Sequence, residues 1–160
     1  MNSQWKVRTA LVLTSLAALV AAGLAAAQSA PKIGSGDVVA DRQRLMKLNG
    51  ASWADAQAKM KAGSVEAIAV NAETMALNAE HIPMLFPQGS LTDKSKAKPE
   101  VWQKWSEFEA AAKNMGSWAE RLRDTARTKN AAATEAIMKE FGAKACGTCH
   151  QPFRVPPPRS

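Results

Sequence analysis

Two sulfurs and an imidazole lie within five residues of one another near the end of the chain: Cys146-Gly147-Thr148-Cys149-His150. These are the only cysteines in the 160 residues, and His150 is one of two histidines. On a helix, positions three and four apart share a face, so all three side chains leave the same side of the backbone. Two thiols at this spacing can add to the two vinyl groups of a haem while the imidazole reaches its iron, which is the c-type attachment pattern. Gly147 and Thr148 are small enough to let a flat macrocycle approach. The competing chemistries fit less well. A thioredoxin-like dithiol expects a βαβ setting. A zinc site needs four ligands, and the chain offers only Cys146, Cys149, His150 and His81. A plain disulfide suits an oxidising compartment and would leave the protein colourless.

The N-terminus predicts such a compartment. Lys6 and Arg8 precede an apolar run from Ala10 to Ala26, broken only by Thr14, Ser15 and Gly23 and ending in the small residues Ala25-Ala26-Ala27. This is the layout of a secretory signal peptide over residues 1–27, with cleavage expected before Gln28 and no membrane association afterwards. The expected location is the periplasm. Removing the signal takes Lys6 and Arg8 and no acids, so the net charge of +7 falls to +5. The remaining charges are mixed in sign along the helical segments, as in Glu107, Glu109, Lys113, Glu120, Arg121, Arg123 and Asp124. Nothing resembles a phosphate-binding stripe, so nucleic acid is not an expected partner. A mildly basic face suits an acidic redox partner protein.

The elements that must position the motif are helices. Alanine dominates the apolar fraction, tyrosine is absent, and no stretch alternates as a half-buried strand would. After a flexible lead over residues 28–36, the first helix is expected from Val38 to Lys61, with Asp37 as N-cap and Gly63 just past its end. Its stripe is Val38, Arg42, Leu45, Met46, Asn49, Trp53, Ala56 and Met60. The second is expected from Ser64, as N-cap, to Ile82, with Pro83 as the stop. Its seam is Val65, Ile68, Ala72, Met75, Ala79 and Ile82. A long connection, apolar at Met84-Leu85-Phe86 and basic at Lys94, Lys96 and Lys98, is expected to fold onto the domain. The third helix starts at Pro99 and carries Trp102, Trp105, Phe108, Ala112, Met115, Ala119, Leu122 and Ala126 on one side. The fourth starts after Asn130 and runs into the cysteines. The tail with Pro156, Pro157 and Pro158 is expected to be disordered over 156–160. The sum is an all-α chain: an antiparallel four-helix bundle over residues 37–155 with covalently bound haem c.

Several local patterns resemble one family. These are Arg42-Gln43-Arg44-Leu45-Met46 with Asn49-Gly50, Ile82-Pro83-Met84-Leu85-Phe86-Pro87 with Gly89, Lys98-Pro99-Glu100-Val101-Trp102, and Cys149-His150 followed by Phe153-Arg154. With a haem motif at the C-terminal end of the bundle, they resemble the cytochrome c' family, the class II c-type cytochromes. The resemblance implies a left-handed bundle holding one haem near one end, often a homodimer, with a redox role. It implies Cys146 and Cys149 as thioether donors and His150 as the proximal axial ligand. Arg42 and Arg154 become propionate or neighbouring partners. Pro152 departs from the pattern, removes a backbone donor beside the ligand, and predicts a distorted last turn. Met46 falls on the distal side, as sixth ligand in low-spin members or a mere screen in five-coordinate ones. Met46 as ligand implies a one-electron carrier whose thioether raises the potential; Met46 as screen implies a five-coordinate protein binding nitric oxide or carbon monoxide. No nucleophile or acid–base set accompanies the motif, so an enzyme is not expected. His81 reads as a surface residue at a helix end.

Overall fold

A computed structural model describes residues 34–156. The expected signal peptide and the tail beyond Pro156 lie outside these residues. Helix α1 spans Val38–Lys61. The Asp37 carboxylate accepts from the Val39 and Ala40 amides at 3.1 and 3.0 Å, satisfying the free donors of the first turn. Gly63 follows its end at a φ of +73°, the left-handed region a glycine enters without steric cost.

Helix α2 spans Ile68–His81, which corrects the start expected at Ser64. Residues 64–67 instead form tight turns closed by Ala67 N–H to Ser64 O and Ile68 N–H to Val65 O, at 3.2 and 3.1 Å. These turns bring Val65 into the core, and the start of α2 has no side-chain cap. The third expected helix is two pieces. Helix α3 is Glu100–Gln103 and α4 is Trp105–Arg127, separated by Lys104 at φ −123°, ψ 49°. Asn130 caps α5, Ala131–Phe141, by accepting from the Ala133 amide at 3.0 Å. Beyond α5 the helix widens into a π-helical segment, Gly142–Gly147, before α6, Thr148–Phe153.

Pairwise contacts give the directions. Asn78 of α2 donates to Asn49 of α1 at 2.8 Å, and further along Asn71 donates to Asp55 at 2.9 Å, so α1 and α2 run antiparallel. Glu73 and Arg123 pair at 2.8 Å while Ala79 faces Gly116, so α2 and α4 are antiparallel too. Asn114 reaches Lys144 O at 2.6 Å and Phe108 meets Phe153 at 5.4 Å, which reverses the C-terminal helices against α4. Trp53 stacks on Phe141 at 4.8 Å, closing the circuit between α1 and α5. This is the expected antiparallel four-helix bundle.

The core follows the predicted stripes. Every named position of the second seam is buried, as are Phe108, Ala112, Met115, Ala119, Leu122 and Ala126 of the third stripe, whereas Trp102 and Trp105 at its start are half-buried. Each fully buried Ile, Leu, Phe or Met here contributes about 1.5–3 kcal/mol of apolar transfer. Helix α1 is the looser partner. Arg42, Asn49 and Ala56 are buried, but Leu45, Met46, Trp53 and Met60 are only partly covered, and Val39 rather than Val38 points inward. Of these partly covered residues, Met46 faces a cavity, which Val39 and Arg42 also line.

Candidate haem site

The cavity holds about 420 Å³ and lies between α1 and the C-terminal helices. Met46 lines it from α1; Cys149, His150 and Phe153 line it from α6. Ile82 and Phe86 close one side, and Phe108 of α4 forms part of the floor. Phe108 packs against Phe86 at 4.7 Å and Trp105 at 5.5 Å. The wall is therefore largely aliphatic and aromatic, suited to a flat apolar ligand. Of the aromatics that composition offered, Phe86, Phe108 and Phe153 line this space, whereas Phe141 stacks on Trp53 and no tryptophan of the described residues lines it. Trp102 instead donates its indole N–H to Phe86 O and Pro87 O, both at 3.0 Å, and fixes the connection.

The widened turn runs into the motif and takes in its first two residues, Cys146 and Gly147. Within α5 the buried positions are Thr134, Met138 and Phe141. The π segment adds a residue to the turn, a device that often re-aims side chains at functional sites. Asn114 Nδ2 and Thr148 Oγ1 both donate to Lys144 O at 2.6 Å, satisfying a carbonyl that the wide turn exposes. Cys146, within this segment, is half-buried and lies outside the cavity lining; Cys149 and His150 are half-buried and within it.

Burial sets the protonation states. It pushes the Cys146 thiol up, and burial with the neighbouring Cys146 pushes the Cys149 thiol up to about 11. Both are thiols, not thiolates, at neutral pH. Burial, aided by Arg154, lowers the His150 pKa and favours the neutral imidazole, which has a lone pair free for a metal.

Arg42 is buried on the cavity wall, but its hydrogen bonds run to the connection between α2 and α3. Nε donates to Leu85 O at 2.6 Å, Nη1 to Ser95 Oγ at 3.1 Å, and Nη2 to Ser90 O at 3.0 Å and to Ser90 Oγ. Its guanidinium also lies 4.3 Å from the Phe86 ring centroid. No local pattern marks Ser90 and Ser95 for this role, since they lie 48 and 53 residues from Arg42. Arg154 is exposed and borders both this cavity and a smaller one shared with His150 and Lys98. The chain leaves the helix at Arg154 in an extended conformation two residues after Pro152. Arg154 then bridges to Ala97, and the Val155 amide donates to Lys96 O at 2.8 Å. The tail is thus held to the connection through Val155. His81 is exposed, with Nδ1 2.8 Å from Leu77 O, a helix-end surface residue as expected.

A family model described as cytochrome c' matches residues 37–154. The chain belongs to the cytochrome c' family. Cytochrome c-556 of Agrobacterium fabrum is 37% identical over 120 residues, covering 73% of this chain and 80% of the relative. Among solved structures, a cytochrome c' described by its unusual ligand-controlled dimer dissociation matches with a TM-score of 0.69. It is 23% identical, covering 79% of this chain and all 100% of the other. The nitric oxide complex of a cytochrome c' variant from Alcaligenes xylosoxidans matches with a TM-score of 0.65, 20% identical, covering 74% of this chain and 94% of the other. The family carries one covalent haem c, and Cys146 to His150 fit its attachment motif. The site fits that group in its donors and in its surroundings. The Cys149 thiol, a neutral imidazole and a facing thioether line an apolar cavity with an arginine in its wall, and Cys146 lies half-buried three residues before Cys149, outside that lining. Among the described residues, no helix is long and apolar enough to cross a membrane.

Proposed function

We propose that this cytochrome is a periplasmic mono-haem electron carrier, not an enzyme, in which Met46 completes the iron coordination opposite His150. The observation that carries this reading is that Met46 and His150 line one cavity from opposing helices. Haem c, when bound, supplies a one-electron couple between ferrous and ferric iron. The protein's part is to hold and tune it. Cys146 and Cys149 provide the sulfurs for the two thioether links. His150 stays neutral in its half-buried position and is available as the proximal ligand. A thioether opposite it favours the reduced state and raises the potential. Ile82, Phe86 and Phe108 exclude water from the same side. Arg42 and Arg154 supply positive charge at the cavity for the propionates, and a redox partner protein docks where the haem edge is reached. A homodimer is compatible with this role, as in the dimeric relative.

The same apolar wall also suits a small uncharged gas if Met46 only screens the site, and one structural relative was solved as a nitric oxide complex. Absorption spectra of the haem-loaded protein separate the two. The carrier shows a sharp low-spin ferrous spectrum that carbon monoxide leaves unchanged, and Met46→Ala makes it responsive. A broad high-spin wild-type spectrum that shifts with carbon monoxide, or a low-spin one indifferent to Met46→Ala, rejects Met46 as ligand.

A further inference from the structure

The connection between α2 and α3 walls the cavity with Phe86, Ser95, Lys96 and Ala97, yet it contains no α-helix. A loop of this length needs external bonds to hold one shape. It receives them from three elements. Trp102 of α3 holds Phe86 and Pro87. The C-terminal end holds Lys96 and Lys98, through Val155 N–H to Lys96 O at 2.8 Å and Lys98 N–H to Phe153 O at 2.9 Å. From α1, Arg42 alone reaches three separated points, Leu85, Ser90 and Ser95. Gln43 adds an exposed bond to Lys94 O at 3.2 Å.

Arg42 stands one helical turn before Met46. We propose that Arg42 is a positioning residue: its guanidinium straps the connection to α1, so that the wall beside Met46 stays closed and the thioether side of the site stays inaccessible to exogenous ligands. The second half of this statement rests on the reading of Met46 given above; the strap itself does not. The planar fork of arginine matters because its donors diverge in fixed directions. A lysine at the same place keeps the charge but cannot serve three divergent acceptors. Charge toward the propionates and geometry toward the loop are therefore separable by substitution.

The test uses the haem-loaded full chain and reads amide hydrogen exchange over residues 86–98 together with the carbon monoxide response. Arg42→Lys and Arg42→Met should each speed exchange in this segment by at least about tenfold, since one hydrogen bond to a charged donor is worth roughly that factor in an opening equilibrium. Both should also admit carbon monoxide where the wild type does not. The double variant Ser90→Ala with Ser95→Ala keeps Arg42 and its charge and should reproduce part of the acceleration. Because it also removes the loop's own bonds from Ser90 Oγ to Pro87 O and from the Ala97 amide to Ser95 Oγ, at 2.6 and 3.1 Å, the serine changes should accelerate exchange less in an Arg42→Lys background than in the wild type, and equal acceleration in both would overturn the strap. Exchange at the wild-type rate in Arg42→Lys, or in the double serine variant, overturns the strap and leaves Arg42 acting by charge alone. A wild type that itself takes up carbon monoxide removes the Met46 reading, and the exchange rates then judge the strap on their own.

Discussion

Phe108 belongs both to the core and to the cavity wall, and its truncation has a calculable cost. It is 1% exposed and meets the rings of Phe86, Trp105 and Phe153 while forming part of the cavity wall. Phe108→Ala removes a fully buried ring and leaves a void that the backbones of α4 and α6 can close only in part. Such a change costs about 3–5 kcal/mol, and the three ring contacts place it toward the upper half. Domains of this size are typically stable by about 5–15 kcal/mol, so the variant keeps its fold with little reserve. At roughly 3–5 °C per kcal/mol, the thermal midpoint should drop by about 12–25 °C. Circular dichroism melting of haem-loaded protein measures this, with Leu48→Ala as control because Leu48 is 57% exposed and its loss should stay within about 0.5 kcal/mol. A Phe108→Ala loss below about 1 kcal/mol, or one matched by the Leu48 control, would refute the placement of Phe108 at the junction of core and cavity.

Other consequences follow from the same geometry. In haem-free protein the Cys149 thiol, pushed up to about 11 against an ordinary 9.0, should carry about 100-fold less thiolate at pH 8 than in the denatured chain. Alkylation by iodoacetamide, followed by mass spectrometry, should be slower in native buffer by a similar factor and should not be if the thiol is solvated. Gly116 stands in α4 where an added Cβ would meet Ala79 Cβ at 3.5 Å, an ordinary contact. Gly116→Ala should therefore stabilise the bundle by up to about 1 kcal/mol through helix propensity, whereas Gly116→Leu should destabilise it by forcing α2 and α4 apart. Equal melting points for the two variants would show that these helices do not approach closely there.

Much of this architecture was legible because periodic apolar positions report burial directly. The stripe from Phe108 to Ala126 and the seam from Val65 to Ile82 are both buried. The N-cap Asp37 was readable from residue type alone, since its short side-chain oxygen suits free amides, and the start of a helix after Asn130 was readable too, where the structure shows Asn130 as the cap. Ser64 misled for the opposite reason. Its cap chemistry is generic, and the demand to bury Val65 produced tight turns instead. The π segment at Gly142–Gly147 leaves no local sequence signal, and the Asn114 side chain that donates to its Lys144 carbonyl comes from a distant part of the chain. Arg42 stood out as a cation on an apolar stripe, but its bonds to Ser90 and Ser95 span about half a hundred residues and could not be read from spacing. The attachment motif was the most legible feature, since its chemistry is fixed by three residues close in sequence.

The most direct test of the account is the intact mass and visible spectrum of the mature protein made in cells with working haem-maturation machinery. The prediction is a red protein heavier than its polypeptide by one haem, with the added mass lost from Cys146→Ala/Cys149→Ala and a spectrum altered in His150→Ala. A colourless product at the bare polypeptide mass, or a haem that washes out under denaturing conditions with both cysteines still free, would contradict it.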